Sequence, residues 1–169
     1  MGEGNQVPSD GRWVVHNSYG VGQIRGYETK MINGKEVAYY RVETENSTFW
    51  IPLDQLDSER LRPLATKGEF KEAIKILKLP PLEMNPDHNH RKLIINNVRT
   101  DPSLVDMARL VRDLNARCMK KDLNTTEKEA LTHFTARLLE EWVACMQISI
   151  EEAHSALNRL LQAQKNLIA

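Results

Sequence analysis

Residues 11–24, Gly-Arg-Trp-Val-Val-His-Asn-Ser-Tyr-Gly-Val-Gly-Gln-Ile, decide the fold of the first part of the chain. The stretch holds two short runs of β-branched or aromatic residues with a turn between them. Gly20 and Gly22 flank a single valine, a spacing that suits a β-bulge or a sharply curved strand in which a Cβ atom would collide. The stretch therefore predicts the start of a small barrel and carries no catalytic chemistry of its own.

Further strand signals continue to about residue 64. Asn33-Gly34 predicts a tight hairpin, because a type I′ turn requires positive φ at both central residues. Pro52 ends the fourth run since it donates no ladder hydrogen bond. The pattern predicts an antiparallel SH3- or Tudor-like barrel over residues 11–65, preceded by a flexible lead at residues 1–10. The predicted strands lie at residues 12–16, 22–31, 35–43 and 47–51, with a short closing strand at 60–62.

From about residue 66 the period of the apolar positions changes from two to about 3.6, which indicates helices. Asp101 is the predicted N-cap of one helix, with Pro102 in its first turn and Cys118 at the end of its buried stripe. Residues 124–127, Asn-Thr-Thr-Glu, predict a capping box that opens a long helix. The fold class is thus α+β with two domains, the second an all-α helical bundle over residues 66–169.

Charge and composition narrow the possible functions. The chain has 23 Lys and Arg against 23 Asp and Glu, so its formal net charge is zero. Between residues 88 and 121, however, the sequence contains eight basic residues and three acidic ones, which predicts a modest basic surface. Arg112 and Glu141 are predicted to lie on solvated helix faces. No apolar run approaches the roughly 20 residues of a membrane span, and residues 1–10 lack the pattern of a signal peptide.

Known catalytic and metal-binding patterns are missing from the sequence. Gly20-x-Gly22 lacks the third glycine and the following helix of a dinucleotide site. His88 and His90 have only Asp87 as an obvious third ligand, whereas zinc takes three or four. The two cysteines have no Cys-x-x-Cys partner and are predicted to be reduced and packed. We therefore predict a protein that is not an enzyme and binds no cofactor or metal.

The order of the motifs resembles that of the bacterial CarD/CdnL transcription factors. Their N-terminal module is shared with the RNA-polymerase-interaction domain of the transcription-repair coupling factor. The family opens Gly-Asp-x-Val-Val-Tyr-Pro-x-His-Gly-Val-Gly, which residues 11–22 follow with substitutions. Ile51-Pro52 is similar to the family's Val-Pro strand end, residues 111–114 look like its third-helix sequence, and residues 124–131 resemble its Ser-x-x-Glu-Lys-x-x-Leu segment. The likeness covers residues 11 to about 163.

The resemblance implies a regulator whose barrel docks on the β subunit of RNA polymerase. It also implies that the helical domain contacts promoter DNA at the upstream edge of the bubble and supports the open complex. We predict polymerase contacts at Lys30, Met31, Trp50 and Pro52, chiefly along one strand edge. Trp50 stands where the family carries a basic residue, and a tryptophan can anchor a protein interface.

A second departure from the family falls in the helical domain. The family wedges a Trp against the minor groove just before the second helix of this domain, and an ungapped count places His88 there. Such a wedge offers an apolar plane to partly unstacked bases, and histidine has less area. We therefore expect the chain to support the open promoter bubble more weakly or in a different way, or another residue to supply the wedge. The predicted DNA contacts are His88, His90, Arg91, Lys92 and Arg99.

An alternative from another functional class stays open. The chain could be a protein-only adaptor that docks on RNA polymerase and recruits a partner protein without contacting DNA. The missing Trp and the zero net charge favour this alternative. Under either hypothesis we expect a cytoplasmic monomer that is associated with the nucleoid only through polymerase and does not bind membranes.

Overall fold

The computed structural model describes residues 11–55 and 60–168. The chain divides into two compact units, residues 1–64 and 65–169, one residue before the boundary predicted from the sequence. The lead predicted at residues 1–10 lies outside the described residues. Within the described ranges, none of the helices combines the length and the apolar composition that a membrane crossing needs.

Within its described residues, the first unit contains five antiparallel strands, and we call it the sheet unit. They are β1 (Trp13–His16), β2 (Gly20–Ile32), β3 (Lys35–Glu43), β4 (Thr48–Pro52) and β5 (Leu61–Pro63), and a short 3₁₀ turn at Leu53–Gln55 follows β4. Their order across the sheet is β4-β3-β2-β1-β5. The number and direction of the strands were predicted, but the closed barrel requires correction. Among the described residues β4 pairs only with β3 and the three-residue β5 only with β1, so the sheet is open.

The β2–β3 hairpin has the predicted turn, whereas the bulge lies elsewhere than predicted. Asn33 and Gly34 have φ of 51° and 76°, as a type I′ turn requires. The register shift falls between Ile24 and Gly26, so the bulge is not at the first glycines. Gly22 instead allows two strands to approach closely. A Cβ atom there would lie 2.7 Å from Val42 Cγ1 and 3.2 Å from the carbonyl oxygen of residue 43.

A small apolar core fills the inner face of the sheet. Tyr19 stacks on Phe49 with a centroid distance of 4.6 Å, and the His16 ring lies 4.8 Å from Tyr19. His16 Nδ1 also accepts a hydrogen bond from the backbone N–H of Ser18 at 3.0 Å, and this bond stabilises the turn between β1 and β2. The buried side chains of this core are Val14, Ile24, Tyr40, Val42, Phe49 and Ile51.

Five helices build the second unit, which we call the helical unit. They are α1 (Lys67–Lys78), α2 (His88–Thr100), α3 (Leu104–Lys120), α4 (Thr125–Met146) and α5 (Ile150–Ala163), followed by a 3₁₀ turn at Gln164–Leu167. The predicted capping box at Asn124 and Glu127 is confirmed. The predicted N-cap of α3 was wrong. Ser103 caps that helix by accepting from the backbone N–H of Asp106, while Asp101 ends α2.

The core of the helical unit corrects three predictions about single residues. Cys118 is exposed, because the buried face of α3 ends before it. Arg112 is buried, where its Nε donates to Asp113 Oδ1 at 2.7 Å and its Nη1 to the carbonyl oxygen of Ile76 at 3.3 Å. Glu141 is also buried, and its Oε1 accepts from the backbone N–H of Ala65 at 3.2 Å. Both charges are tolerated inside because polar partners replace water.

The close approach at Gly22 generates a test of the sheet. We expect Gly22→Ala to lower the free energy of unfolding of the sheet unit by about 1–3 kcal/mol, since the new methyl group overpacks Val42. Urea denaturation followed by tryptophan fluorescence measures the change. Gly68→Ala is the control, because the nearest atom to its Cβ, Thr66 Oγ1, lies 3.8 Å away. A Gly22→Ala protein as stable as the control would contradict the close packing.

Candidate functional site

Three of the four predicted docking residues lie on one face of the sheet. Directly opposed residues of an antiparallel sheet share a face, and so do alternate residues along one strand. In register, Lys30 opposes Val37, Trp50 opposes Arg41, and Pro52 opposes Tyr39. This face, here called the outer face, is opposite to the core. It carries Glu28, Lys30, Tyr39, Arg41, Trp50 and Pro52.

Contacts on the outer face hold Trp50 in a fixed position. Lys30 Nζ lies 3.8 Å from the centroid of the Trp50 ring and 5.9 Å from that of Tyr39. The indole Nε1 of Trp50 donates to Glu28 Oε2 at 3.0 Å, and Arg41 lies 3.8 Å from the other oxygen of the same carboxylate. Trp50 nevertheless stays 41% exposed. A large ring that is both fixed and exposed has little conformational entropy to lose when a partner binds it.

Met31 stands apart from the other three residues. It neighbours Lys30 along β2, so its side chain projects from the opposite face of the sheet. There it is 69% exposed, and Tyr27 on the same face is 62% exposed. The geometry therefore joins Lys30, Trp50 and Pro52 in one surface and does not join Met31 to them.

The edge of the sheet beside Trp50 is open. β4 pairs in register with β3 from Thr48 to Pro52, and no other described strand pairs with it. An edge strand presents unpaired backbone N–H and C=O groups along its free side. An extended segment of a partner could add to such an edge while its side chains met the outer face.

The predicted DNA-contacting residues all belong to α2, but the helix separates them. Successive residues of an α-helix are about 100° apart, which places His88, Lys92 and Arg99 on one stripe and His90 on nearly the opposite side. All four side chains are exposed. The stripe extends along the helix for about 16 Å at 1.5 Å per residue.

Arg91 is not available to a phosphate, which corrects its predicted role. Its side chain is buried, with 5% of the residue exposed. Nη1 donates to the carbonyl oxygens of Asn85 and Pro86 at 2.8 and 2.6 Å, and Nε donates to Glu127 Oε1. Arg91 thus holds the loop that leads into α2 and joins that loop to the start of α4.

Glu127 is the centre of this buried network. Besides Arg91, it accepts from Arg117 Nε at 3.4 Å and from the backbone N–H of Asn124 at 3.2 Å. Only 1% of Glu127 is exposed. Burial raises the pKa of its carboxyl, but the hydrogen bonds from Arg91 and Asn124 and the nearby Arg117 charge outweigh burial and hold that pKa below its ordinary value.

The same network reaches the first residue of α2. Asn124, the N-cap of α4, places its side-chain amide nitrogen 3.1 Å from His88 Nδ1. Lys128 is exposed on the first turn of α4, so its charge lies on the turn that Asn124 opens beside His88. In the sequence, Asn124, Glu127 and Lys128 stand out only as parts of a motif. The contact between Asn124 and His88 joins residues that are 36 positions apart, so no local sequence signal predicts it.

His88 and His90 were the candidate metal ligands in the sequence, with Asp87 as the obvious third. Within residues 11–55 and 60–168, His, Cys, Asp and Glu side chains form no group of three that could hold a metal ion. His88 and His90 project from nearly opposite sides of α2, so they cannot share an ion through their side chains.

Two family models match the chain, one for each unit. The model described as CarD-like/TRCF RID domain matches residues 9–65. The model described as CarD, C-terminal domain matches residues 72–158. A comparison with curated proteins found no match.

The buried network predicts a stability that depends on pH. Because the pKa of Glu127 is lowered in the folded protein, its stabilising effect is present above the pH where an unfolded glutamate titrates, about 4.3, and is lost as the pH falls below it. We expect Glu127→Gln to remove this acid dependence. We also expect it to lower the free energy of unfolding of the helical unit by about 3 kcal/mol at neutral pH, since two arginines lose their counter-charge. Urea titrations at several pH values measure both effects.

Glu129→Gln provides the matched control, because Glu129 is exposed on the same helix two residues further on. Its stability should differ from that of the unmodified chain by no more than about 0.5 kcal/mol. Equal stability of the Glu127→Gln and Glu129→Gln proteins would show that the carboxylate does not organise the helical unit.

Proposed function

Because the chain belongs to the CarD-like family of RNA-polymerase-interacting transcription factors, we propose that its outer face and β4 edge bind the polymerase β subunit while its helical unit contacts promoter DNA. The contact would lie near the upstream edge of the bubble and would modulate the stability of the open complex. Membership of this family supports the role of a regulator and not that of an enzyme. A chain with this role works where polymerase works, in the cytoplasm.

One observation carries the docking part of the proposal. An exposed tryptophan, fixed between Lys30 and Glu28, stands beside an open strand edge. The edge supplies backbone hydrogen bonds, which give affinity with little selectivity, and the outer face supplies side chains that select the partner. Trp50 replaces the family's basic residue at this position, so we propose that apolar burial takes the place of one charge contact. Met31, on the opposite face, has no part in this docking surface.

The DNA part of the proposal rests on the exposed lysine, arginine and histidine side chains near the start of α4 and along α2. His88, Lys92 and Arg99 form one exposed stripe, and Lys128 extends from the neighbouring helix turn. Lysine and arginine contacts to phosphates position a protein on the duplex without selecting a sequence. His90, on the other side of α2, is left as a peripheral contact. Arg91 supports the stripe from inside and touches no phosphate.

A protein-only adaptor is the second candidate function, and the burial of two predicted surface cations favours it. Arg91 and Arg112 are both paired inside the helical unit, so fewer exposed cations remain between residues 88 and 121 than the sequence suggests. A footprint of the polymerase–promoter complex, with and without this protein, distinguishes the two functions. Protection that extends upstream of the bubble supports DNA contact, and an unchanged footprint supports the adaptor.

The docking surface can be tested with one substitution on each face. We expect Trp50→Ala to weaken binding to a polymerase β fragment by about 2 kcal/mol, because an anchoring aromatic side chain is lost. Tyr27→Ala is the control, since Tyr27 is exposed on the opposite face. Surface plasmon resonance measures both affinities. If the two variants bind equally well, the outer face is not the docking surface.

The DNA contact can be tested through its dependence on salt. Each phosphate contact that is removed should lower the slope of log affinity against log salt by about one unit. We therefore expect the double variant Lys92→Ala/Arg99→Ala to bind a polymerase–forked promoter complex less tightly and with a flatter slope. The control removes two exposed charges elsewhere on the helical unit, with Lys71→Ala and Arg159→Ala. An unchanged slope for the first variant would remove the α2 stripe from the interface.

A further inference from the structure

We propose that His88 acts in the minor groove as a hydrogen-bond donor, presenting its Nε2–H to a purine N3 or pyrimidine O2 atom at the edge of the bubble. The inference rests on the proposed DNA contact and goes beyond it by naming the chemical group that His88 recognises. It also assigns His88 a role different from that of an apolar wedge.

The capping box of α4 determines how the Asn124 amide is oriented. The side-chain oxygen Oδ1 accepts the backbone N–H of Glu127 at 2.9 Å, which is the N-cap hydrogen bond of the helix. The other end of the amide, Nδ2, is therefore the atom that lies 3.1 Å from His88 Nδ1. An amide nitrogen can only donate. The N-cap hydrogen bond thus orients the Asn124 amide so that its donor group, Nδ2–H, lies against His88 Nδ1.

A ring nitrogen that faces a donor has to be the acceptor. His88 Nδ1 consequently carries no hydrogen, and in the neutral ring the hydrogen is on Nε2. Nε2 has no hydrogen-bond partner elsewhere in the described part of the chain, and the His88 side chain is exposed. The ring therefore presents a single N–H donor to an outside partner.

Both partners of this contact are held by the same buried ion pair. Glu127 Oε2 accepts the backbone N–H of Asn124 at 3.2 Å, which fixes the cap. Arg91, bound to the same carboxylate, holds the carbonyl oxygens of Asn85 and Pro86, the residues that lead into α2. The Asn124–His88 hydrogen bond thus joins two segments whose backbones are already fixed, so little ring freedom has to be lost when DNA binds.

The minor groove offers the acceptors that such a donor needs. A·T and T·A pairs present adenine N3 and thymine O2, whereas G·C pairs add the amino donor of guanine N2, which would oppose another donor. A His88 Nε2–H donor therefore favours A·T pairs at the point of contact. A stacked wedge would tolerate every base pair, because each base has an apolar face.

The tautomer can be measured on the full chain without DNA. We expect nitrogen-edited NMR to show the Nε2–H tautomer for the His88 ring, with the signal identified by its loss in His88→Ala. Asn124→Ser preserves a side-chain acceptor for the N-cap hydrogen bond, but the serine side chain is too short to reach the His88 ring. This variant should release the ring and allow both tautomers to exchange. An Nδ1–H tautomer in the unmodified chain would overturn the proposal.

The recognised atom can be measured on the polymerase–forked promoter complex. Adenines at the upstream edge are replaced by an analogue that carries C–H in place of N3. We expect this replacement to shorten the lifetime of the complex with the unmodified chain by about five-fold, the loss of one hydrogen bond. His88→Ala should shorten the lifetime on ordinary DNA similarly, with no further loss on the analogue. His154→Ala is the control, because His154 is an exposed histidine on α5 that has no part in the proposed contact, and this variant should keep the full response to the analogue.

The outcomes separate the inference from the function on which it rests. If the analogue has no effect but His88→Ala still shortens the lifetime, His88 touches DNA by stacking and the donor role is overturned. If neither change has any effect and the footprint is unchanged, the proposed DNA contact itself fails, and the donor role fails with it.

Discussion

The organisation of the helical unit depends on one buried carboxylate. Glu127 joins Arg91 of α2, Arg117 of α3 and the cap of α4, so a single side chain connects the starts or ends of three helices. A buried charge of this kind is tolerated only when every partner is present, because each missing partner leaves an unpaired group away from water. The exposed surface near His88 has its shape because these interior contacts are complete.

Two residues of the sheet unit that depart from the family pattern form an aromatic pair. The family pattern has tyrosine where this chain has His16 and histidine where it has Tyr19. The two rings lie 4.8 Å apart, and both pack against Phe49. These ring contacts, together with the hydrogen bond from the backbone N–H of Ser18 to His16 Nδ1, stabilise the turn between β1 and β2. The residues that depart from the family pattern at this turn therefore still pack on the core of the sheet unit.

The parts of the structure that follow local rules could be predicted from the sequence. Asn33-Gly34 is a turn because of its own φ preferences, and Asn124 with Glu127 is a cap because of spacing along the chain. Both features require only nearby residues. The strand positions and the helix stripes were predictable for the same reason, since they depend on apolar periods within one element.

The features that the sequence did not predict depend on distant partners. A charged residue on a helix is normally solvated, and only tertiary contacts change that expectation. Glu141 is buried because it accepts from the backbone of Ala65, 76 residues away, and Arg91 because it meets Glu127, 36 residues away. The open sheet edge and the Asn124–His88 contact likewise depend on residues that are far apart in the sequence.

The burial of Arg91 and Arg112 leaves fewer exposed cations on the helical unit than the sequence count suggests, which has a consequence for the proposed DNA contact. Such a chain would meet promoter DNA only weakly from free solution. Once docked on polymerase, it would sample the promoter at a high effective concentration, so tethering, more than charge, would determine where it acts.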